Sequence, residues 1–559
     1  MDGPVAADPV AALARDVFQK RMIGIAEEMS SALRRAAYSS IIWDMYDYSC
    51  AVLTPAGELL AQAETIPAQL GVIETACAHV ARKVPISSWE EGDIIICNDP
   101  YQGCTHTPDI VLFSPVFVGG DLVALTSTIA HHVDLGGKTP CTTAPDNTEV
   151  FGEGVIFPPM KLLKAGKPVD EIFVLLANNV RNPEACAGDL RAQIAGCRTA
   201  ERRLRDVVQG YGPERFAELT RNVLDYGENY VRMALRQFPN GESSAVVRIE
   251  DGVASSEPMT VACRVRLTDD AIEVDFAGTS PQRPHGLNCP FSSTISMVNY
   301  AVKAAMSPGI PQNGGCSRPV RILCEEGTIL NPRRPAAVGS RHFTQQAVAE
   351  AVLIALRPFV GETGYAGSQI SFPSLKIGGF DTRSERSGPE GMAPYFTVTD
   401  IMGGGGGATH AGDGLDGIDT HGSNCAILSA EIMELVCPVR VLRTELVAAS
   451  GGDGEFRGGL GMRREYELLC DGLNVNVYVQ QQSDYNRSWG SAGGGESSSA
   501  RAALDVGGPG ERALPPKSIG LSPPAGTRIL LEGAGGGGYG DPARRGAAAR
   551  ERDRQEKYV

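Results

Sequence analysis

Asn98-Asp99-Pro100-Tyr101, Thr105-His106-Thr107-Pro108-Asp109 and Ala130-His131-His132-Val133-Asp134 are the informative parts of one forty-residue stretch that ends at Gly137. Of the eight histidines in 559 residues, three fall in these parts, beside three aspartates. Imidazole and carboxylate make a ligand set suited to Zn, Mn or Fe. Between the motifs the chain reads as a hairpin. Ile110-Val111-Leu112-Phe113 and Val116-Phe117-Val118 form the outgoing strand, Gly119-Gly120-Asp121 the turn, and Leu122 to Ile129 the return strand. Pairing Val118 with Leu122 places Asp109 opposite His131, with His106 just outside the ladder at the same open end. A slip of one residue would turn a side chain to the other face, so the site depends on the register. A lone Thr-His-x-Pro-Asp is also a common turn, with the Asp bonding its own backbone. Asp109→Asn is expected to leave the metal-free melting temperature nearly unchanged on either reading, and the hairpin leaves both readings open.

Working outward, the N-terminal side opens on a helix whose core face is Phe18, Met22, Ile25, Met29 and Leu33. Trp43 to Leu53 alternates as a strand does, with Asp47 at its start, where it serves either as a carboxylate facing the open end of the hairpin or as a strand-end cap. A second helix is predicted from about Gly71 to Lys83, followed by a buried strand, Ile94-Ile95-Ile96-Cys97. Beyond the hairpin, strand-like order returns over Gly152 to Leu162, and helices follow over about 188–210 and 223–238. From Ala245 the pattern changes to strands, with a hairpin around Thr268-Asp269-Asp270, and then to helices near 292–306 and 345–357 alternating with short strands. The resulting expectation is a multidomain α+β protein. An N-terminal metal-site domain (10–239) precedes a central α+β region (240–445), a C-terminal β-rich, Gly-rich region (446–542) and a disordered tail or frayed helix (543–559).

Composition narrows the function classes. Hydrophobic residues at 42% and charged residues at 21% are those of a globular protein. A net charge of −15 with no basic face argues against nucleic acid. Fourteen scattered cysteines without a Cys-x-x-Cys suit a reduced compartment. Met1-Asp2-Gly3-Pro4 does not open a signal peptide, and no run of about 18 apolar residues is present, so a cytoplasmic protein is expected. The glycine runs Gly403 to Gly407 and Gly535 to Gly540 lack the lysine and hydroxyl of a phosphate loop and read as turns or close packing.

Several motifs in register carry a resemblance. Besides the three parts quoted first, they are Gly188-Asp189-Leu190-x-Ala192-Gln193, Asn313-Gly314-Gly315-Cys316, Pro335-Ala336-Ala337-Val338-Gly339, Ser450-Gly451-Gly452-x-Gly454-x-Phe456-Arg457-Gly458-Gly459 and Gly536-Gly537-Gly538-Tyr539-Gly540-Asp541-Pro542. From about residue 14 to 542 the chain resembles the hydantoinase B / 5-oxoprolinase C-terminal family. That resemblance implies one component of an ATP-dependent cyclic-amide hydrolase, in hetero-oligomeric complex with a hydantoinase A-like partner that binds ATP and activates a ring carbonyl. It implies a divalent metal held by His106, Asp109 and His131, with Asp47 a candidate fourth ligand. Asp134 and His132 stand as candidate catalytic residues or orienters of a ligand. By parity His132 points away from His131 and reads equally well as a structural histidine. The same family also implies two alternatives, the metal-bearing component of an ATP-dependent ketone carboxylase and a non-catalytic scaffold. Cys104, Trp43 to Ser49 and Ser340-Arg341-His342 depart from the family pattern, and the last two would reshape the substrate pocket. Asp99 reads as a turn former and His79 as structural. For His285, His342, His410 and His421 no spacing leads to the hairpin.

Overall fold

The computed structural model describes residues 9–306, 309, 311–383 and 393–559. The opening residues 1–4, read above for a leader, lie outside these. A seven-stranded antiparallel sheet is built from β1 (Tyr48–Leu53), β2 (Leu59–Gln62), β3 (Ile94–Cys97), β4 (Asp109–Val118), β5 (Asp121–His131), β6 (Met160–Lys164) and β7 (Lys167–Pro168). Their spatial order is β2-β1-β5-β4-β3-β6-β7. The long hairpin β4–β5 is its centre.

Helices cover both faces of this sheet. Val111, Phe113, Leu125 and Ile129 pack with Val72, Ile73, Ala76 and Val80 of the helix Pro67–Lys83. Ile110 and Leu112 pack with Leu190 and Cys197 of the helix Pro183–Tyr211 on the opposite face. Since side chains alternate along a strand, Asp109 and His131 share the first face and His132 belongs to the second.

The register of the hairpin contains a correction. The turn is two residues, Gly119 and Gly120, both at positive φ (63° and 94°), so Val118 pairs with Asp121 and Phe117 with Leu122. Glycine takes this left-handed backbone without strain, and such turns match the twist of a hairpin. Val123 is then an extra residue in β5. Beyond this bulge Val116 pairs with Ala124, and the ladder reaches Asp109 opposite His131. The Val118–Leu122 pairing fails, while the pairing at the site is the one expected.

Trp43 belongs to a short helix, Ser40–Trp43, rather than to a strand, and β1 is buried on both faces instead of alternating. Gly152 to Pro159 is not strand, which begins only at Met160. Past Gly241 three further sheets follow. The first, ordered Val320–Leu323, Ala271–Asp275, Met259–Thr268, Gly241–Ile249, carries the helix His342–Val360 on its face. In the second, Ser374–Phe380 lies between Tyr395–Ile401 and Asn474–Tyr478, so the regions 240–445 and 446–542 share a sheet and are not separate units.

The glycine runs pack backbone on backbone. The amide of Gly405 donates to Ala534 O (2.9 Å), Gly536 to Gly459 O (2.9 Å) and Gly459 to Gly406 O (2.8 Å). A Cβ on Gly536 would stand 1.9 Å from the carbonyl oxygen of Gly406. Of the two readings of the tail, the structure has the helix, Ala547–Gln555, anchored by Arg545, which bonds both Asp413 and Asp553. Among the described residues no helix is long and apolar enough to cross a membrane.

Candidate metal centre

His106 enters the site from a tightly braced loop. Asn98 donates from Nδ2 to Thr107 O (2.6 Å) and Val155 O (2.9 Å), and its Oδ1 accepts from Phe157 N. Asp99 accepts from Tyr101 N (2.9 Å) and caps the short 3₁₀ turn Pro100–Gln102. His106 Nδ1 lies 2.8 Å from Gly339 O. A carbonyl only accepts, so Nδ1 carries the proton and Nε2 presents its lone pair to the site. Gly339 is held in turn, its amide and that of Val338 donating to the buried Glu153 carboxyl group.

Three donor atoms converge there. His106 Nε2 is 3.2 Å from His131 Nδ1 and 3.2 Å from Asp109 Oδ1, and His131 Nδ1 is 2.9 Å from the same oxygen. All three residues are buried. Ligands about 2.1 Å from one ion stand about 3.0 Å apart at right angles and about 3.4 Å apart in a tetrahedron, so a triangle of 2.9–3.2 Å is the spacing of neighbours around a single cation. Two imidazoles and a carboxylate are also a ligand set for divalent transition metals. The residues fit such an ion.

The electrostatics keep His106 and Asp109 in ligand form. Burial pushes the His106 imidazole down to about 4, against the pull of Asp109, so it is neutral at ordinary pH. Burial would raise the Asp109 carboxyl, but the two imidazoles hold it well below the usual range. Its second oxygen accepts from Arg341 Nη2 (3.1 Å) and from the Thr105 hydroxyl. Among the described residues no backbone amide donates to it, contrary to the turn-forming reading.

Asp47 stands one step outside this triangle. Its Oδ2 is 4.0 Å from His131 Nδ1, and its Oδ1 accepts from Gln69 Nε2 (2.7 Å). Burial raises its carboxyl to about 6, with His131 pulling it back. His106, Asp109, His131 and Asp47 line one cavity of about 50 Å³, together with Gln69, Arg341, His342, Gln345, Lys376 and Thr399.

The structure does not bring His132 or Asp134 into that cavity. His132 Nε2 meets Gln193 Oε1 (3.0 Å) on the helix behind the sheet. Asp134 accepts from the amides of Gly136, Cys141 and Arg181 and from Arg181 Nη1, and so shapes the loop after β5. His285 pairs with Asp251 and His421 with Glu350. Arg341 and His342 line the cavity, as the departure at Ser340-Arg341-His342 led one to expect, whereas Lys376 was not foreseen there. A signal existed for Lys376 too, in a single lysine amid the apolar run Leu375-Lys376-Ile377.

A buried two-histidine, one-carboxylate centre at the open end of an antiparallel hairpin defines a candidate metalloprotein of mixed α+β fold. The comparisons then place the chain. Residues 11–542 match the model of the hydantoinase B/oxoprolinase family, and the chain belongs to that family. It is 29% identical to the B component of a putative D-/L-hydantoinase from a Pseudomonas species, over 93% of this chain and 88% of the relative. It is 30% identical to the beta component of the caprolactamase of Pseudomonas jessenii, over 93% and 89% of the two chains. The crystal structure of the ATP-dependent caprolactamase of P. jessenii superposes with a TM-score of 0.88 at 28% identity, covering 99% of this chain and 95% of that one. Nucleotide-free acetone carboxylase shares the fold, with a TM-score of 0.87 at 20% identity over 99% of this chain and 78% of its own.

Proposed function

We propose that this chain is the metal-bearing component of an ATP-dependent cyclic-amide hydrolase, acting on a small lactam or hydantoin-like ring whose carbonyl a hydantoinase A-like, ATP-binding partner activates. The observation that carries the reading is the convergence of His106 Nε2, Asp109 Oδ1 and His131 Nδ1 on one point of a buried cavity. The relatives are named as the B component of a hydantoinase and the beta component of a caprolactamase, which supports both the reaction class and a hetero-oligomeric assembly. A chain without a lysine-bearing phosphate loop leaves ATP to the partner. Fourteen unpaired thiols agree with a cytoplasmic setting.

A divalent cation at the three donors supplies Lewis acidity to a carbonyl oxygen or to water. The chain's own residues prepare that chemistry. The Gly339 carbonyl fixes the tautomer of His106, and Glu153 fixes Gly339. Arg341 and Thr105 aim the second oxygen of Asp109 away from the site and leave Oδ1 to face it. Gln69 turns Asp47 so that Oδ2 faces His131, available as a fourth donor. His132 and Asp134 serve from behind, by holding the segment that bears His131. Such supporting contacts govern ligand orientation and affinity in metal sites.

The test is reconstitution. The chain is co-purified with a hydantoinase A-like partner and assayed with ATP on 5-oxoproline, hydantoin and caprolactam. Ring opening that needs ATP, the partner and His106 is the expected result. Tight ATP binding by this chain alone, or ring opening unchanged in His106→Ala, would contradict the proposal.

A further inference from the structure

Away from the metal centre, the helices Pro67–Lys83 and Phe291–Met306 pack in close contact. A Cβ on Gly71 would stand 2.0 Å from Ser296 Oγ, so glycine is what lets them approach this far. Beside that contact lies a cavity of about 370 Å³, within the ordinary range of small-molecule sites. It shares no lining residue with the metal cavity. The first helix serves both, since Ala68 and Gln69 line the metal cavity and Leu70 and Glu74 line this one.

Its polar groups are under-satisfied in a particular way. Gln62 Oε1 and Asn299 Oδ1, on two of the lining residues, are buried without a hydrogen-bond partner. Buried acceptors are nearly always paired, so two orphans at one cavity mark a place for a donor. Glu74 lines the same cavity. Burial raises its carboxyl to about 7 and Glu58 adds to the rise, while the Leu59 amide and Arg318 pull it back. A cation beside Glu74 would favour its charged form. Lys303, one turn on from Asn299 along the second helix, brings the opposite sign. Burial lowers its ammonium, and among the described residues no carboxylate forms an ion pair with it. Leu59, Pro67 and Leu70 add an apolar wall. An uncommitted ammonium, two orphan acceptors and a carboxyl around an apolar surface suit a ligand with a negative and a positive end.

We propose that this cavity binds a ring-opened product, a small amino acid carrying its ammonium and carboxylate on a short apolar chain, at a site separate from the metal centre. The identity of the ligand rests on the cyclic-amide reading above. Adding water across a lactam C–N bond leaves a carboxylate on the acyl carbon and an amine on nitrogen, which takes up the proton released and becomes an ammonium. The carboxylate pairs with Lys303. The ammonium has three N–H donors, and Gln62, Asn299 and Glu74 supply three acceptors. An unopened ring has one N–H and no such pair of charges, so it leaves Lys303 and most of the acceptors unused and is rejected, as sites built for polar groups reject analogues lacking them.

Calorimetry on the full chain tests this with three products and their rings: 4-aminobutanoate against 2-pyrrolidinone, 6-aminohexanoate against caprolactam, and glutamate against 5-oxoproline. At least one amino acid should bind tenfold or more tightly than its ring. Lys303→Met and Glu74→Gln should each weaken that binding at least tenfold, with melting temperatures that show both to be folded. Ala304→Phe, at an exposed position on the same cavity, should block binding without touching either charge, and guards against a variant that fails to fold. His106→Ala should bind the amino acid as the parent does. A parent that prefers none of the three amino acids to its ring, or variants at Lys303, Glu74 and Ala304 that bind as the parent does, overturns the inference. Loss of binding in His106→Ala overturns it too, by putting the amino acid in the metal cavity. The binding needs neither metal nor partner, so an assembled complex that opens no ring would contradict the proposed function while the calorimetry still decides this site.

Discussion

Asp109→Asn separates a ligand from a turn former, and the structure changes what it should do to the metal-free protein. Asp109 is 1% exposed, and its Oδ2 lies 3.1 Å from Arg341 Nη2, itself buried. At an effective dielectric of about 20, a pair at that distance gains about 5 kcal/mol. The Asn carbonyl retains one hydrogen bond of about 1 kcal/mol and relieves the desolvation of the carboxylate, but it leaves the guanidinium unneutralised. Removing one partner of a buried pair costs about 3–5 kcal/mol, so a loss of roughly 2–4 kcal/mol is expected once the relief is counted. The metal-free variant should therefore melt several degrees lower, where a turn-forming Asp109 would have left it unchanged. Metal affinity should fall on the order of tenfold or more, the scale seen even for supporting residues, since a neutral carbonyl replaces the charged oxygen 2.9 Å from His131 Nδ1. Thermal melting with and without added metal, together with elemental analysis, reads both effects. A variant that melts and loads as the parent does would refute the reasoning at each step.

His106→Ala and His131→Ala should each lose the metal while keeping the fold, and elemental analysis showing full occupancy in both would remove them from the site. Burial raises the Glu153 carboxyl to about 8 from its ordinary 4.5. The folded state thus holds a proton that the unfolded state has released, and Glu153 weakens folding progressively as pH rises from about 4.5 to 8. The melting temperature of Glu153→Gln minus that of the parent should grow between about pH 5 and pH 8; a constant difference would count against it. Gly536→Ala places a Cβ 1.9 Å from Gly406 O, against the backbone of Gly406 and Gly407, and should abolish soluble expression, whereas Gly472→Ala has open space and should cost only about 1 kcal/mol for its positive φ.

The central hairpin was legible because local rules decide it. Two glycines set the turn, apolar runs set the strands, and parity then separates His131 from His132. Even there the Val123 bulge was invisible, and the expected pairing reached the site although its starting pair was wrong. Helical periodicity likewise disclosed the buried face of Pro9–Ala36. What stayed hidden was long-range. Arg341 meets Asp109 across 232 positions, and Lys376 comes to the cavity on a strand of a different sheet. No local pattern encodes such meetings. The extended glycine segments were read as close packing, but their arrangement, backbone against backbone from four distant stretches, depends on the whole chain. The tail left disorder and helix open, and what holds its helix is again distant, since Arg545 finds Asp413 132 positions away.

The proposed chemistry depends on one ion. Crystals of the purified chain, measured at the absorption edge of whichever metal elemental analysis finds, would locate it by anomalous scattering. One full-occupancy peak within bonding distance of His106 Nε2, Asp109 Oδ1 and His131 Nδ1 is the predicted result. A peak elsewhere in the chain, or a complex with its partner that opens rings while these three residues hold no metal, would contradict it.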